Sequence, residues 1–316
     1  MSSEKQSFDN GPAMTFAEFD SIFESTKTWS QYSAANIERG ALNFIDADVV
    51  KNSLSFVKSG RVIPLSLAWN TVAGLDNSKP ALHYMTELGD DEAPEPTANK
   101  DFIGIDYHGK ASSHLDAPTH IAYRDQLFGG KKSSEVVNSQ GSSWATVDKL
   151  GPIVTRGVLL DAALLIGADW LEPGTAVKAA DILRMEEKFG FKIQKGDCVL
   201  LRSGHFARRE KLGVWDPSNL SAGFYVDAMQ LFKERQVSVI GADGDSDVRP
   251  SPVEGVGSPI HVLALPAMGI PLLDNLQLEG LVAACVEENR WTFQITIAPL
   301  NIPRGTGSPV NPVAVL

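Results

Sequence analysis

The chain has 316 residues and a formal net charge of −11, with 43% hydrophobic and 8% aromatic residues. That composition suits an ordinary globular core in one large domain or two. The acidic balance excludes a basic nucleic-acid face and disfavours an anionic membrane surface. No apolar run approaches the roughly 20 residues needed to span a bilayer.

The opening MSSEKQSFDNGPAM reads as disordered and holds no apolar signal core. Thr15-x-x-Glu18 is a capping box, and Phe16, Phe19, Ile22 and Phe23 share one helical face. This predicts a helix in an N-terminal arm over 1–55, packed on the body or on another subunit. A short helix follows near Asp46–Ser53, and RVIPLSLAW at 61–69 reads as a strand. Asn70–Lys100, rich in Gly, Pro, Asp and Glu, reads as a long loop carrying His83 and walling a substrate cleft.

Phe102–Asp106 is strand-like and leads into YHGKASSHLDAPTHIAYRDQLFGG at 107–130, which holds three of the six histidines. His114, Asp116 and His120 share one parity, so an extended chain sends them from one face. His114 and Asp116 would stand about 6.6 Å apart along a strand, close enough to reach one ion. His120 would lie about 20 Å from His114 unless the chain bends, and Pro118 is placed to bend it. Neutral imidazoles and a carboxylate are good ligands for a borderline divalent ion.

Further on, Val154–Asp161, Asp197–Arg202 and Val237–Ala242 read as strands, and Ala179–Phe189, ended by Gly190, as a helix. Val226–Arg235 reads as another helix. Asp274-x-x-Gln277 predicts a helix from Asp274 to about Glu288, Phe293–Leu300 alternates as a strand, and the tail from Arg304 is turn-rich. His205 sits in a basic stretch and is expected to be exposed. Asp243, Asp245 and Asp247 resemble a calcium-loop fragment without its distal Glu, so a turn is expected. Cys198 and Cys285 lie in apolar settings and read as free buried thiols of a reducing, cytoplasmic compartment. No G-x-G-x-x-G, P-loop or G-x-S-x-G elbow occurs, which argues against nucleotide binding and serine-hydrolase chemistry. No composition break divides 56–316, so one α/β domain is expected behind the arm.

Ser113-His114-Leu115-Asp116-Ala117-Pro118-Thr119-His120 resembles the signature of the putative cyclase, or kynurenine formamidase-like, metal-dependent hydrolases, His-x-Gly-Thr-His-x-Asp-x-Pro-x-His. Ser113 stands at the Thr position and Ser112 at the Gly position. The family's first histidine falls on Lys110, with His108 two residues earlier. DWLEPGTAV at 169–177, GDCVLLRSG at 196–204, DGDSDVRPS at 243–251, SPIH at 258–261, MGIPLLDNLQLEGL at 268–281 and GTGSPVNP at 305–312 look closest to a branch that includes the trans-dienelactone hydrolases.

The resemblance implies a swivelling β/β/α fold with a mixed sheet and flanking helices, a homo-oligomer (dimer or tetramer), and a Zn²⁺ or Mn²⁺ ion that activates water on an amide, lactone or imide of a small molecule. It also implies a second histidine–carboxylate pair, His261 with Asp274. The expected ligands are His108, His114, Asp116 and His120, with His120 or His261 moving the proton and Ser113 and Asp274 standing behind them. Trp69, Tyr107, Lys110, Tyr123 and Phe128 are candidates to contact substrate, with core packing the equal alternative for the aromatic residues. Two other readings remain at this point: a cyclase or dehydratase using the same ion without net hydrolysis, and a binding protein with a degenerate site.

Overall fold

Alternating buried strands and amphipathic helices set the architecture, described by a computed structural model for residues 9–89 and 95–316. Residues 1–8, the start of the stretch read as disordered, lie outside the described residues. Nine strands form one mixed sheet: β1 (Val62–Pro64), β2 (His114–Asp116), β3 (Ile153–Asp161), β4 (Cys198–Arg202), β5 (Val239–Ala242), β6 (Leu272–Asp274), β7 (Thr292–Ile297), β8 (Gly307–Pro309) and β9 (Val313–Val315). Their order is β1-β9-β7-β3-β4-β5-β6-β2-β8. β3, β4, β5 and β6 run parallel; β7 pairs antiparallel on one side and β2 on the other.

The parallel strands are covered on both faces, which is why they read as continuous apolar runs rather than alternating ones. Along β4, Val199 and Leu201 enter one core, and Cys198 and Leu200 the other. The first core is closed by Ile182 and Met185 of α3 (Ala179–Phe189) and by Met229 and Phe232 of α5 (Val226–Glu234); the second by Leu281 and Ala284 of α6 (Glu279–Glu288). This is the mixed α/β domain with flanking helices that was expected. α1 (Phe16–Thr26) carries the expected capping box and buries Phe19 and Phe23 against Tyr123. α2 spans Ala47–Leu54. Cys198 and Cys285 are free and buried. Among the described residues, no helix is long and apolar enough to cross a membrane.

Several local expectations are corrected. The segment 70–100 is not all loop: Leu82–Glu87 pairs antiparallel with Lys100–Gly104 in an exposed hairpin, where His83 meets Asp101. Turn-rich composition on either side masked the strand. The 61–69 strand shrinks to Val62–Pro64. Asp274 ends a strand, and the helix begins only at Glu279. The tail contributes β8 and β9, whose short runs lie among Gly and Pro. His205 is buried, not exposed: it opens α4 (His205–Leu212) and packs edge-on to Phe206 and near Trp215.

Candidate metal centre

The carboxyl ends of parallel strands are where open α/β sheets gather ligand-binding groups. Here Asp161 ends β3, Arg202 ends β4, Asp243 follows β5 and Asp274 ends β6. The antiparallel partner β2 starts at the same edge, with His114 opposite Asp274.

β2 is only three residues, His114-Leu115-Asp116, and is held on both sides, by β6 and by β8. Its alternation sends Leu115 into the second core and His114 and Asp116 to the other face, as the parity argument requires. Gly307 lies opposite Asp116, and a Cβ there would sit 2.5 Å from the Leu115 carbonyl and 3.0 Å from the His108 ring. Only glycine lets β8 approach this closely under His108. After Asp116 the chain turns: His120 N–H donates to the Ala117 carbonyl at 2.8 Å across Pro118 and Thr119. That turn returns the His120 Nε2 to 3.7 Å from Asp116 Oδ2.

Asp116 is the hub. Its carboxylate is buried, and neither oxygen has a hydrogen-bond donor. His114 Nε2 lies 3.6 Å from Oδ1, and His261 Nε2 lies 3.6 Å from Oδ2 and 3.3 Å from Asp274 Oδ2. These separations are mostly long for hydrogen bonds. Two ligands each about 2.1 Å from one ion at near-tetrahedral angles lie about 3.4 Å apart, so they are the separations of co-ligands. His108 Nδ1 comes within 2.8 Å of Asp116 Oδ1 without hydrogen-bond alignment. The orphaned oxygens and donor set fit a divalent cation. His108, Asp116 and His120 offer atoms within 4.8 Å of one another, as do His114, Asp116 and Asp274.

Outer contacts fix the rings. His114 Nδ1–H donates to the Ser112 carbonyl at 2.8 Å, which leaves the Nε2 lone pair facing Asp116. His261 Nδ1 sits 2.5 Å from Asp247 Oδ2, and His108 Nε2 lies 3.0 Å from Thr306 Oγ1. The His108 and His120 rings stack at 3.9 Å and 2°. Ser246 N–H and Oγ–H hold Asp274 Oδ1, leaving Oδ2 for the centre. Ser113 Oγ–H donates to the Asn275 carbonyl at 2.6 Å, and Asn275 Nδ2 donates to the Gly109 and Ser112 carbonyls.

Charge follows this geometry. Burial opposes ionisation of Asp116, yet the imidazoles, His114 foremost, hold it well below the usual carboxylate range. Burial pushes the His120 imidazole down to about 4. Burial also works against a charged His261, but the Asp116, Asp247 and Asp274 carboxylates hold its pKa well above the ordinary value.

The structure brings His108, His114, Asp116, His120, His261 and Asp274 together. Tyr107 borders them, its hydroxyl donating to the Gly307 carbonyl and its ring against His108. Lys110 Nζ is bonded to Asp245. Trp69 lines a cavity of about 800 Å³ with Leu67, Phe206, Val214 and Lys110, and a second of about 220 Å³ meets His108 and Lys110. Tyr123 and Phe128 line neither cavity. Tyr123 packs on α1, and Phe128 is fully buried beside Tyr32, so core packing accounts for both. Sequence reasoning missed Asp247, Asp245, Asn275 and Thr306 as contributors. The alternating Asp243-x-Asp245-x-Asp247 was a usable signal, set aside as a turn; all three are buried. Asp243 instead takes the Ser203, Gly204 and His205 N–H groups at the start of α4.

A family model described as Putative cyclase matches residues 29–246. No match is found among curated proteins. Among solved structures, one described as a novel cyclase superposes with a TM-score of 0.81 at 24% identity, covering 93% of this chain and 99% of that one. Isatin hydrolase A from Ralstonia solanacearum gives 0.55 at 22% identity over 80% and 91% of the two chains. An isatin hydrolase bound to the product analogue thioisatinate gives 0.54 at 18% identity over 90% and 99%. These likenesses establish the fold.

Proposed function

The chain belongs to the Putative cyclase family, and from that premise we propose that it is a metal-dependent hydrolase of a small molecule's amide, lactone or imide bond. The observation that carries this reading is the buried Asp116 carboxylate, which has no hydrogen-bond donor and stands at co-ligand distances from His114, His120 and His261. Asp116, His114, His261 and Asp274 would hold the ion on the buried side. When bound, a divalent cation supplies water acidification and carbonyl polarisation at this centre.

Both nitrogens of His261 face carboxylates, so that ring is held rather than free to carry protons. The proton therefore moves on His120, whose ring is partly exposed, stacked on His108 and kept neutral near pH 7 by burial. His108, tied to Thr306, keeps that ring in place. The cavities beside Lys110 and Trp69 would receive the substrate, which the apolar Leu67, Trp69, Phe206 and Val214 lining suits to an aryl or alkyl body. The likeness in fold to isatin hydrolases supports hydrolysis, and the stretches from 169 to 312 support the trans-dienelactone hydrolase branch.

The test is metal analysis of the purified protein, followed by assays on lactones (dienelactones included), imides and N-formyl anilines with and without chelator. Near-stoichiometric Zn or Mn and chelator-sensitive turnover are expected. A protein without metal that rebinds none tightly would instead be a binding protein.

A further inference from the structure

His261 faces a separate group of carboxylates with each ring nitrogen. Nε2 meets Asp116 and Asp274 at 3.6 and 3.3 Å; Nδ1 meets Asp247 at 2.5 Å and Asp245 at 3.8 Å. Asp245, Asp247 and His261 also offer atoms within 4.8 Å of one another, a second ligand set next to the first.

The two sides differ in what already neutralises them. Among the described residues, no lysine or arginine is within ion-pair distance of Asp116 or Asp274, and the Asp116 oxygens lack donors. On the other side every carboxylate oxygen is engaged. Asp245 Oδ2 takes the Lys110 ammonium and the Arg249 guanidinium, the latter at 2.7 Å, and Oδ1 accepts Asp247 N–H at 3.1 Å. Asp247 Oδ1 accepts Ile260 N–H at 2.6 Å, and Oδ2 is on His261. Arg249 is itself fixed by the Gly257 carbonyl and Ser258 Oγ. Lys110 arrives from the loop before β2 and is the one cation here with no other polar contact among the described residues. It caps the Asp245 side where it faces the cavities.

We propose that the Lys110 ammonium occupies the place of a second divalent cation, so that Lys110 fixes the centre at one metal ion. The argument rests on the metal-dependent reading above. A buried pair of aspartates needs compensating positive charge. An ammonium on a flexible stem supplies it in a compact form, leaves Asp245 no free oxygen and repels an incoming cation. Removing that charge leaves Asp245 Oδ2 with Arg249 alone and frees its second lone pair beside Asp247 and His261.

The test is titration of metal-depleted protein with Mn²⁺, read by calorimetry and by metal content after gel filtration, on the wild type, Lys110→Gln and Lys110→Arg. The wild type and Lys110→Arg are expected to take about one ion per chain and Lys110→Gln about two. A wild type that takes two ions, or a folded Lys110→Gln that stops at one, overturns the assignment while the hydrolase reading stands. A wild type that binds none overturns that reading itself. Should Lys110→Gln not fold, electron paramagnetic resonance of the Mn-saturated wild type decides: the spectrum of an isolated ion supports the assignment, and a spin-coupled pair contradicts it.

Discussion

Replacing Asp247 with alanine should weaken metal binding although Asp247 does not touch the hub carboxylate. Its Oδ2 holds His261 Nδ1 at 2.5 Å, and its Oδ1 takes the buried Ile260 N–H at 2.6 Å. Without it the His261 ring loses the anchor that aims Nε2 at Asp116 and Asp274. Loss of such an outer partner typically costs about 10- to 100-fold in metal affinity, or about 1.4–2.8 kcal/mol. The Ile260 N–H left without an acceptor adds about 1–3 kcal/mol of destabilisation, which lowers the melting temperature separately. Asp247→Asn keeps an acceptor oxygen for Nδ1–H and should fall between the two proteins. The assay is calorimetric titration of metal-depleted protein with Mn²⁺, with circular dichroism to verify folding. A folded Asp247→Ala protein that binds Mn²⁺ within about twofold of the wild type would refute the reasoning.

Acidification should destabilise the protein through His205. Burial lowers its imidazole to about 4 against 6.5 for an ordinary histidine, so the unfolded chain binds a proton that the folded chain refuses. The stability is therefore present above about pH 6.5 and is lost as pH falls toward about 4, by about 3 kcal/mol at most. Urea melts across that range should show a shallower pH slope in His205→Gln than in the wild type, and equal slopes would remove His205 as the cause. Arg156 forks onto buried Asp197 at 2.8 and 2.6 Å, so Arg156→Ala should lose about 3–5 kcal/mol by stranding that carboxylate. A loss under about 1 kcal/mol in chemical denaturation would show the pair to be solvated instead.

The centre was legible where its residues are close in the chain. His114 and Asp116 are two positions apart on one strand, and Pro118 marks the turn that returns His120, so a parity rule found them. His261 and Asp274 entered through resemblance alone, because tertiary folding rather than sequence spacing places them: register sets Asp274 opposite His114, and the helical turn Pro259–Val262 carries His261 to Asp116. Asp274 carried a misleading local signal: with Gln277 it imitates a helix cap, yet pairing with His114 keeps it in a strand. His205 was misplaced because the charged Arg208 and Arg209 make the stretch read as solvated, whereas one turn along the same face of α4 they are half-buried, Arg209 on Asp76 and Arg208 over Trp215. The strands Cys198–Arg202 and Val239–Ala242 were plain because burial on both faces demands continuous apolar runs. The 82–87 strand was not, because it is exposed along its whole length, and the tail strands were not, because each is only three residues long among Gly and Pro.

The most direct measurement is an anomalous-difference map from a crystal of the full chain grown with Mn²⁺. The account predicts one strong peak about 2.0–2.3 Å from an Asp116 oxygen, with the Nε2 atoms of His114 and His261 in its coordination sphere. A map with no peak there, and ordered water donating hydrogen bonds to both Asp116 oxygens, would contradict it.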